Sequence, residues 1–152
     1  MEEKNPHPKI LPPHAAIASS IIVIFLHYLI PTHLISKPFN YFGILFFVSG
    51  LFILFLSFGM FKKNETPILP GQKPAALVIE GPYNFTRNPM YLGVTIALLG
   101  IAIYLGDLLA FLSPIAFVLF VSIRFIPREE KLMEKLFSKK HLDYRKKVRR
   151  WL

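Results

Sequence analysis

The chain has 152 residues, of which 53% are hydrophobic, a formal net charge of +9 and no cysteine. The absence of cysteine excludes disulfides, thiolate metal sites, cysteine nucleophiles and cysteine-linked lipids. A mean hydropathy of +0.47, with the charges segregated into blocks, is typical of an integral membrane protein rather than of a soluble domain.

Residues 1–14 precede the first apolar run. They combine charges of both signs with four prolines, and no small-residue cleavage site ends the run that follows. We therefore do not expect this segment to be a cleaved signal peptide.

Four apolar runs follow in chain order, and crossing a bilayer as a helix takes about 20 such residues. Pro31 is expected to kink or end the first helix, the third run is short, and only Gly106 and Asp107 separate the third from the fourth. The last two helices therefore form a tight antiparallel hairpin. Because these runs are continuous rather than alternating, the predicted fold is all-α and integral to the membrane, with four transmembrane helices and a C-terminal cytosolic amphipathic helical tail. The predicted spans are 15–35, 39–61, 89–105 and 108–126.

The basic residues predict an orientation for these helices. Residues 1–14, 62–88 and 124–152 hold 2, 4 and 11 of the 18 lysines and arginines, and residues 36–38 hold the remaining one. The positive-inside rule then places both termini and the middle loop in the cytoplasm, in a multi-pass protein of a prokaryotic inner membrane. Such a charge also suits nucleic acid, but a basic tail beside a membrane more often meets anionic lipid. We expect membrane lipids as partners and no nucleic acid.

The loop before the third run reads "GPYNFTRNPMYLG" and is polar and turn-rich. Asn88 followed by Pro89 is typical of a helix start, with asparagine as the N-cap and proline in the first helical position. In the simplest interpretation Arg87 reaches lipid headgroups and Tyr91 lies in the aromatic belt.

The tail after the fourth run begins with Arg124, and Pro127 is expected to break that helix. Glu129 and Glu130 stand in the first turn of the next helix, where its dipole favours acids. Capping explains one acid, whereas two adjacent acids among eleven basic residues suit a cationic ligand. An apolar stripe predicts an amphipathic helix on the membrane surface, and its members are Leu132, Met133, Leu136 and Phe137.

These segments together resemble the isoprenylcysteine carboxyl methyltransferase and phospholipid methyltransferase superfamily, integral membrane enzymes that use S-adenosylmethionine. The resemblance covers about residues 66–152. One part of the resemblance is "LVIEGPYNFTRNPMYLG", which contains an R-[HN]-P-x-Y-x-G motif. The other is "IRFIPREEKLMEKLF", which contains the E-E pair and is followed further on by "VRRWL". Each motif alone is weak, and the two at this spacing are specific. The resemblance implies a single membrane methyltransferase domain over residues 1–152.

The resemblance also implies that the segments 81–93 and 124–152 form the cofactor pocket. Carboxylates suit the ammonium or ribose diol of S-adenosylmethionine, and an arginine suits its carboxylate as a two-pronged donor. Apolar tail residues such as Leu132, Phe137 or Trp151 would cover the adenine, and no metal is expected. The cofactor contacts implied are Arg87, Asn88, Pro89, Tyr91, Gly93, Glu129, Glu130 and Tyr144.

The chain departs from the family pattern at four positions. Asn88 replaces the commoner histidine, and Arg149 replaces the proline of V-P-R-W. In the tail, Ser138 replaces a glycine and His141 replaces a tyrosine. The resemblance therefore does not define the geometry of the pocket near His141.

The implied reaction is methyl transfer to a lipophilic, membrane-embedded acceptor that reaches the site laterally, either a prenylcysteine carboxylate-like or a lipid amine-like group. A small thiol and a quinone-like lipid also stay open as acceptors. An amine or a thiol must lose a proton, and His141 is the candidate base, although a surface histidine is the alternative. Arg124 and Arg128 are candidates for holding an anionic acceptor or a lipid phosphate.

Two other classes of protein fit the composition. A small four-span transporter or channel subunit without enzymatic activity needs an ionisable residue within a span, and His27 is the candidate. A sterol-type membrane reductase shares the tail pattern, but such enzymes are much longer and bind a nicotinamide cofactor.

Overall fold

The computed structural model describes residues 11–67 and 72–152. Within those ranges the regular secondary structure is helical, and the β-structure there is one isolated bridge between His33 and Asp107. The predicted all-α fold is confirmed for this part of the chain. Most of the segment 1–14, on which the signal-peptide prediction rests, lies outside the described residues. The helices are α1 (Pro12–Leu29), α2 (Phe42–Lys63), α3 (Pro89–Leu105), α4 (Leu112–Arg124) and α5 (Ile126–Lys147).

The boundaries of α3 agree with the predicted third span, whereas the predicted first span is wrong at its end. Helix α1 stops at Leu29, and the chain then runs extended instead of continuing to residue 35. The physical reason is twofold, because Pro31 cannot donate to a helix and the next residues bond elsewhere. Leu34 and Ile35 both donate their backbone N–H to the carbonyl of Gly106, at 2.7 and 3.0 Å.

The predicted fourth span is not one continuous helix. A 3₁₀ turn occupies Leu108–Phe111, α4 ends at Arg124, and α5 begins at Ile126 with Pro127 in its first turn. The break expected at Pro127 is therefore confirmed. Gly106 makes the hairpin between α3 and α4 possible, because its φ of +72° lies in the left-handed region that side chains disfavour.

Among the residues that the structure describes, three helical stretches are long and apolar enough to cross a membrane, and they are Pro12–Leu29, Phe39–Lys63 and Leu108–Lys147. Helix α3 is apolar but has 17 residues, which gives a length of about 26 Å at 1.5 Å per residue. That is shorter than the hydrocarbon layer of about 30 Å. The total of four crossings and the cytoplasmic location of the termini therefore stay predictions.

Helices α2 and α3 pack through glycines spaced seven residues apart. A Cβ on Gly100 would lie 2.7 Å from the carbonyl oxygen of Gly43, and a Cβ on Gly93 would lie 2.7 Å from that of Gly50. These distances leave no room for a side chain, so the two backbones are in direct contact. Close approach of this kind compensates for the missing hydrophobic drive between helices in lipid.

The remaining helices build a small core against the other side of α3. Helix α1 packs on α3 and α4, and Trp151 joins the cluster from the end of the tail. The outward faces of α1 and α2 expose large apolar side chains, among them Phe25 and Phe52, as expected for surfaces in contact with lipid. The buried members of the core cluster are Leu98, Phe117, Val121 and Ile126.

A buried aspartate ties α1 to the far end of the α3–α4 hairpin. Asp107 is only 2% exposed, and its carboxylate accepts from the backbone N–H of Thr32 at 3.0 Å. The same carboxylate contacts Nδ1 of His27 and lies 3.5 Å from Nδ1 of His33. His27, the ionisable residue on which the transporter interpretation depends, is thus engaged in a contact between helices.

We expect Asp107→Ala to lower the free energy of unfolding by about 3 kcal/mol, because it removes a buried hub and leaves its partners unsatisfied. His33→Ala is the matched control, since this side chain is 74% exposed and its loss should change the free energy by less than about 0.5 kcal/mol. Thermal unfolding of both variants in one detergent measures the difference. Equal midpoints for Asp107→Ala and the unchanged protein would show that the cluster does not hold the bundle.

Candidate functional site

A cavity of about 470 Å³ opens where the start of α1, the second half of α2, the start of α3 and α5 meet. Most of its lining is apolar, from α2 and the first turn of α1. One wall is polar and brings together parts of the two segments that the sequence singled out. The polar residues of this wall are Tyr83, Arg87, Asn88, Glu129, Glu130, His141 and Tyr144.

Glu130 lies between two arginines at this wall. Its Oε1 is 2.8 Å from Nη1 of Arg87. Arg150 approaches the same carboxylate from the other side with two hydrogen bonds, from Nε to Oε1 at 3.2 Å and from Nη2 to Oε2 at 2.6 Å. The better-formed pair is therefore Arg150–Glu130, which has the two-pronged geometry that makes arginine–carboxylate bonds strong.

Arg87 is largely buried, with a side chain that is 12% exposed. Although the charges are close enough to attract, the angle to Glu130 is not that of a hydrogen bond. Within residues 11–67 and 72–152, Nε of Arg87 has no hydrogen-bond partner, and Nη1 has Glu130 as an ion-pair partner without hydrogen-bond geometry. Burial lowers the pKa of Arg87, and Glu130 opposes that shift. A buried N–H donor without a partner on a cavity wall is available to an acceptor atom of a ligand or of water.

Glu129 is the second acid of the pair and has a different environment. Tyr91 donates its hydroxyl to Oε1 of Glu129 at 2.8 Å, which connects the starts of α3 and α5. Burial raises the pKa of Glu129, the hydrogen bond from Tyr91 works against this, and the neighbouring Glu130 adds to the rise. The two acids are therefore not equivalent, because Glu130 is neutralised by arginines and Glu129 is not.

The tail of α5 bends at Ser138, whose φ of +41° and ψ of −115° are not helical. Beyond the bend, His141 is 3% exposed and lines the cavity, so the alternative of a surface histidine is wrong. Its Nδ1 has no hydrogen-bond partner in the described part of the chain, and burial lowers its pKa. Tyr144 donates its hydroxyl to the carbonyl oxygen of Tyr83 at 2.6 Å, and burial raises its pKa to about 12.

The chain after α5 runs beside the R-N-P motif and bonds to it through its backbone. Arg87 donates its N–H to the carbonyl of Arg149 at 2.9 Å. The carbonyl of Arg150 accepts from Oγ1 of Thr86 at 3.1 Å and from Nδ2 of Asn88 at 2.8 Å. Asn88 does hold the N-cap position of α3, but its side-chain oxygen accepts no capping bond, and its Nδ2 donates to the tail.

Not every residue predicted for the site lies at the cavity. Arg124 and Arg128 are exposed and do not line it. Gly93 is buried against α2, where its missing side chain serves helix packing. Trp151 packs on the core cluster rather than on the cavity, whereas Leu132 and Met133 of the apolar stripe line it.

Sequence comparison connects this geometry to known proteins. Residues 39–140, about two thirds of the chain, match the phospholipid methyltransferase family. The chain belongs to that family. The matched range contains α2, α3, α4 and most of α5, and with them both motifs of the polar wall.

The family is one of methyltransferases, and the apolar helices agree with its association with membranes. An uncharacterized protein of Haemophilus influenzae (strain Rd) is 41% identical to this phospholipid methyltransferase family member over 63 residues, which are 41% of this chain and all of that protein.

Sequence reasoning missed Tyr83, which belongs to the polar wall, and Arg150, which pairs with Glu130 of that wall. Arg150 belongs to a run of basic residues. Its position in V-R-R-W, which corresponds to the V-P-R-W of the family, is what distinguishes it from the others. Tyr83 lies in the 3₁₀ turn Gly81–Asn84 and is 6% exposed. The family motif itself was the available signal for Arg150, since the tail has the V-x-R-W pattern.

Proposed function

We propose that this protein is an S-adenosylmethionine-dependent methyltransferase. Its acceptor is a lipophilic, membrane-embedded group of the prenylcysteine carboxylate or lipid amine type, and the reaction takes place at the cytosolic membrane face. The observation that carries the proposal is the polar wall, where a largely buried arginine whose Nε has no partner among the described residues and a glutamate without an arginine partner share one largely apolar cavity.

The residues present fit the proposed cofactor. Its carboxylate would satisfy the donors of Arg87, and its ammonium or ribose hydroxyls would bond to Glu129. The helix start at Pro89 also lines the cavity, and the positive end of the α3 dipole suits a carboxylate. Apolar side chains from α2 and Leu132 would cover the adenine. The cavity volume of about 470 Å³ is within the range of small-molecule sites, roughly 300–1,000 Å³.

When bound, S-adenosylmethionine supplies an electrophilic methyl group, so the protein needs to align two reactants rather than activate the donor. Alignment in a well-oriented site is worth up to about 7–11 kcal/mol. Arg87 and Glu129 would hold the cofactor by two of its groups, the carboxylate at Arg87 and the ammonium or ribose at Glu129. The apolar walls from α1 and α2 would keep water away from the acceptor.

A second, apolar groove supports a lipophilic acceptor. It has a volume of about 310 Å³, lies between α1 and α2 with α3 as its floor, and shares Leu54 and Val94 with the cavity. A hydrocarbon chain in this groove would place its polar head at the polar wall. The acceptor would then arrive from the bilayer while the cofactor arrives from the aqueous side.

Whether a proton must be removed, and hence whether a base is needed, depends on the acceptor. A carboxylate acceptor needs no base, whereas an ammonium must be deprotonated before it attacks. His141 would accept that proton at Nδ1, because its lowered pKa keeps the imidazole neutral at pH 7. The exposed Arg124 and Arg128 would contact lipid phosphate outside the cavity.

The test of this function is calorimetric binding of S-adenosylmethionine to the detergent-solubilised protein, with NADPH as the competing cofactor class. We expect the first to bind and NADPH to give no heat, because the wall offers one buried arginine for a single carboxylate. Labelled methyl transfer into a lipid and peptide extract then identifies the acceptor. Absence of S-adenosylmethionine binding, or tighter binding of NADPH, would remove the proposal.

A further inference from the structure

Arg150 makes the best-formed ion pair of the polar wall although it does not line the cavity. Its guanidinium holds both oxygens of Glu130, at 3.2 and 2.6 Å, and its side chain is 40% exposed. The side chain is kept near the wall by its own backbone, because the Arg150 carbonyl accepts from both Thr86 and Asn88. The position of Arg150 is therefore fixed relative to the R-N-P motif.

Glu130 is shared unequally between the two arginines. Arg150 bonds both of its oxygens with hydrogen-bond geometry. Arg87 makes an ion pair with one oxygen through Nη1, without that geometry, and its Nε has no hydrogen-bond partner in the described ranges. A carboxylate opposite two guanidiniums forms the two-pronged pair with one of them at a time. Without the Arg150 side chain, Glu130 would have Arg87 as its remaining arginine partner and would rotate to bond it.

We propose that Arg150 is a positioning residue that holds Glu130 by both oxygens, so that Glu130 keeps one close contact with Nη1 of Arg87 and leaves Nε of Arg87 available to an anionic ligand. This inference rests on the proposed function, in which that ligand group is the carboxylate of S-adenosylmethionine. It assigns Glu130 to the support of Arg87 and leaves Glu129 as the acid that contacts the ligand. Arg150 acts through Glu130 and touches neither reactant.

Calorimetry with S-adenosylmethionine on Arg150→Gln tests the proposal. We expect the Kd to rise about tenfold, the effect of one charge-assisted hydrogen bond, because Glu130 then occupies Arg87. Arg149→Gln is the matched control, since this neighbouring side chain is exposed and should leave the Kd unchanged. An analogue of the cofactor that lacks the carboxylate should bind Arg150→Gln and the unchanged protein equally.

The second variant is the double substitution Arg150→Gln with Glu130→Gln. A neutral amide no longer competes for Arg87, so we expect the Kd to return toward the value before Arg150 was changed. Arg150→Lys keeps the positive charge but not the planar fork, and its Kd should lie between those of the unchanged protein and Arg150→Gln.

Several results would overturn the inference. These are an unchanged Kd in Arg150→Gln, an equal loss for the analogue, no recovery in the double variant, or full affinity in Arg150→Lys, which would mean that charge alone suffices. If the unchanged protein itself does not bind S-adenosylmethionine, the proposed function fails first. Thermal unfolding without ligand shows whether Arg150→Gln is folded, and Arg150→Lys gives the same test if it is not.

Discussion

Replacing Arg87 by alanine is expected to weaken S-adenosylmethionine binding by roughly 100-fold, or about 3 kcal/mol, the worth of a two-pronged charged contact. Arg87→Lys keeps the charge without the fork and should weaken binding partially. The folded state should tolerate both changes, because Glu130 retains its two hydrogen bonds from Arg150. Calorimetry of both variants measures the effect.

The control for Arg87 is the cofactor analogue without a carboxylate. Its affinity should be nearly the same in the unchanged protein, Arg87→Ala and Arg87→Lys, because the group that Arg87 recognises is missing. If the analogue and the full cofactor lose affinity equally, Arg87 supports the loop instead, through its backbone bond to Arg149, and the ligand carboxylate belongs to another residue.

Glu129→Gln is expected to have opposite effects on stability and on binding. Burial raises the pKa of Glu129 above its ordinary 4.5, so this carboxyl stabilises the fold while it is protonated. That contribution is complete below pH 4.5 and is lost as the pH rises through the folded-state pKa. Glutamine keeps an acceptor for Tyr91 without a charge, and the variant should therefore unfold at a higher temperature than the unchanged protein at pH 8.

The same substitution removes the negative charge proposed to hold the ammonium or ribose of the cofactor. We expect S-adenosylmethionine affinity to fall about tenfold or more. Unfolding midpoints without ligand at pH 4 and pH 8, together with calorimetry at pH 8, measure both effects. The difference in midpoint between variant and unchanged protein should shrink toward pH 4. A variant that is less stable at pH 8, or that binds the cofactor unchanged, would show that Glu129 is only part of the helix start.

The sequence by itself determined the helical class, the bounds of α3, the tight turn at Gly106 and the break at Pro127. These features depend on local properties, namely continuous apolar runs and the backbone limits of proline and glycine. The two motifs also singled out segments that lie close together, because residues from 81–93 and from 124–152 meet at one cavity. Their roles toward a ligand stay predictions.

Only the tertiary structure decided where α1 ends and which charges meet. Helix α1 stops at Leu29 because the residues after Pro31 bond to Gly106, about 70 positions away, and no local pattern contains that pairing. Similarly, Asp107 finds His27 across 80 residues. Which basic side chain pairs with an acid depends on the approach of distant backbones, and the tail alone offers eleven lysines and arginines.

The clearest case is the acid pair. In sequence Glu129 and Glu130 are adjacent and identical, and both were predicted to contact the cofactor. Because successive residues of a helix point about 100° apart, one carboxylate turns toward Tyr91 and the other toward two arginines. Helix α3 and the tail supply these different partners. As a result, Glu129 has a raised pKa, whereas Glu130 is paired with arginines. The amino-acid sequence placed two acids at these positions, and the packing of the helices gave each acid its environment.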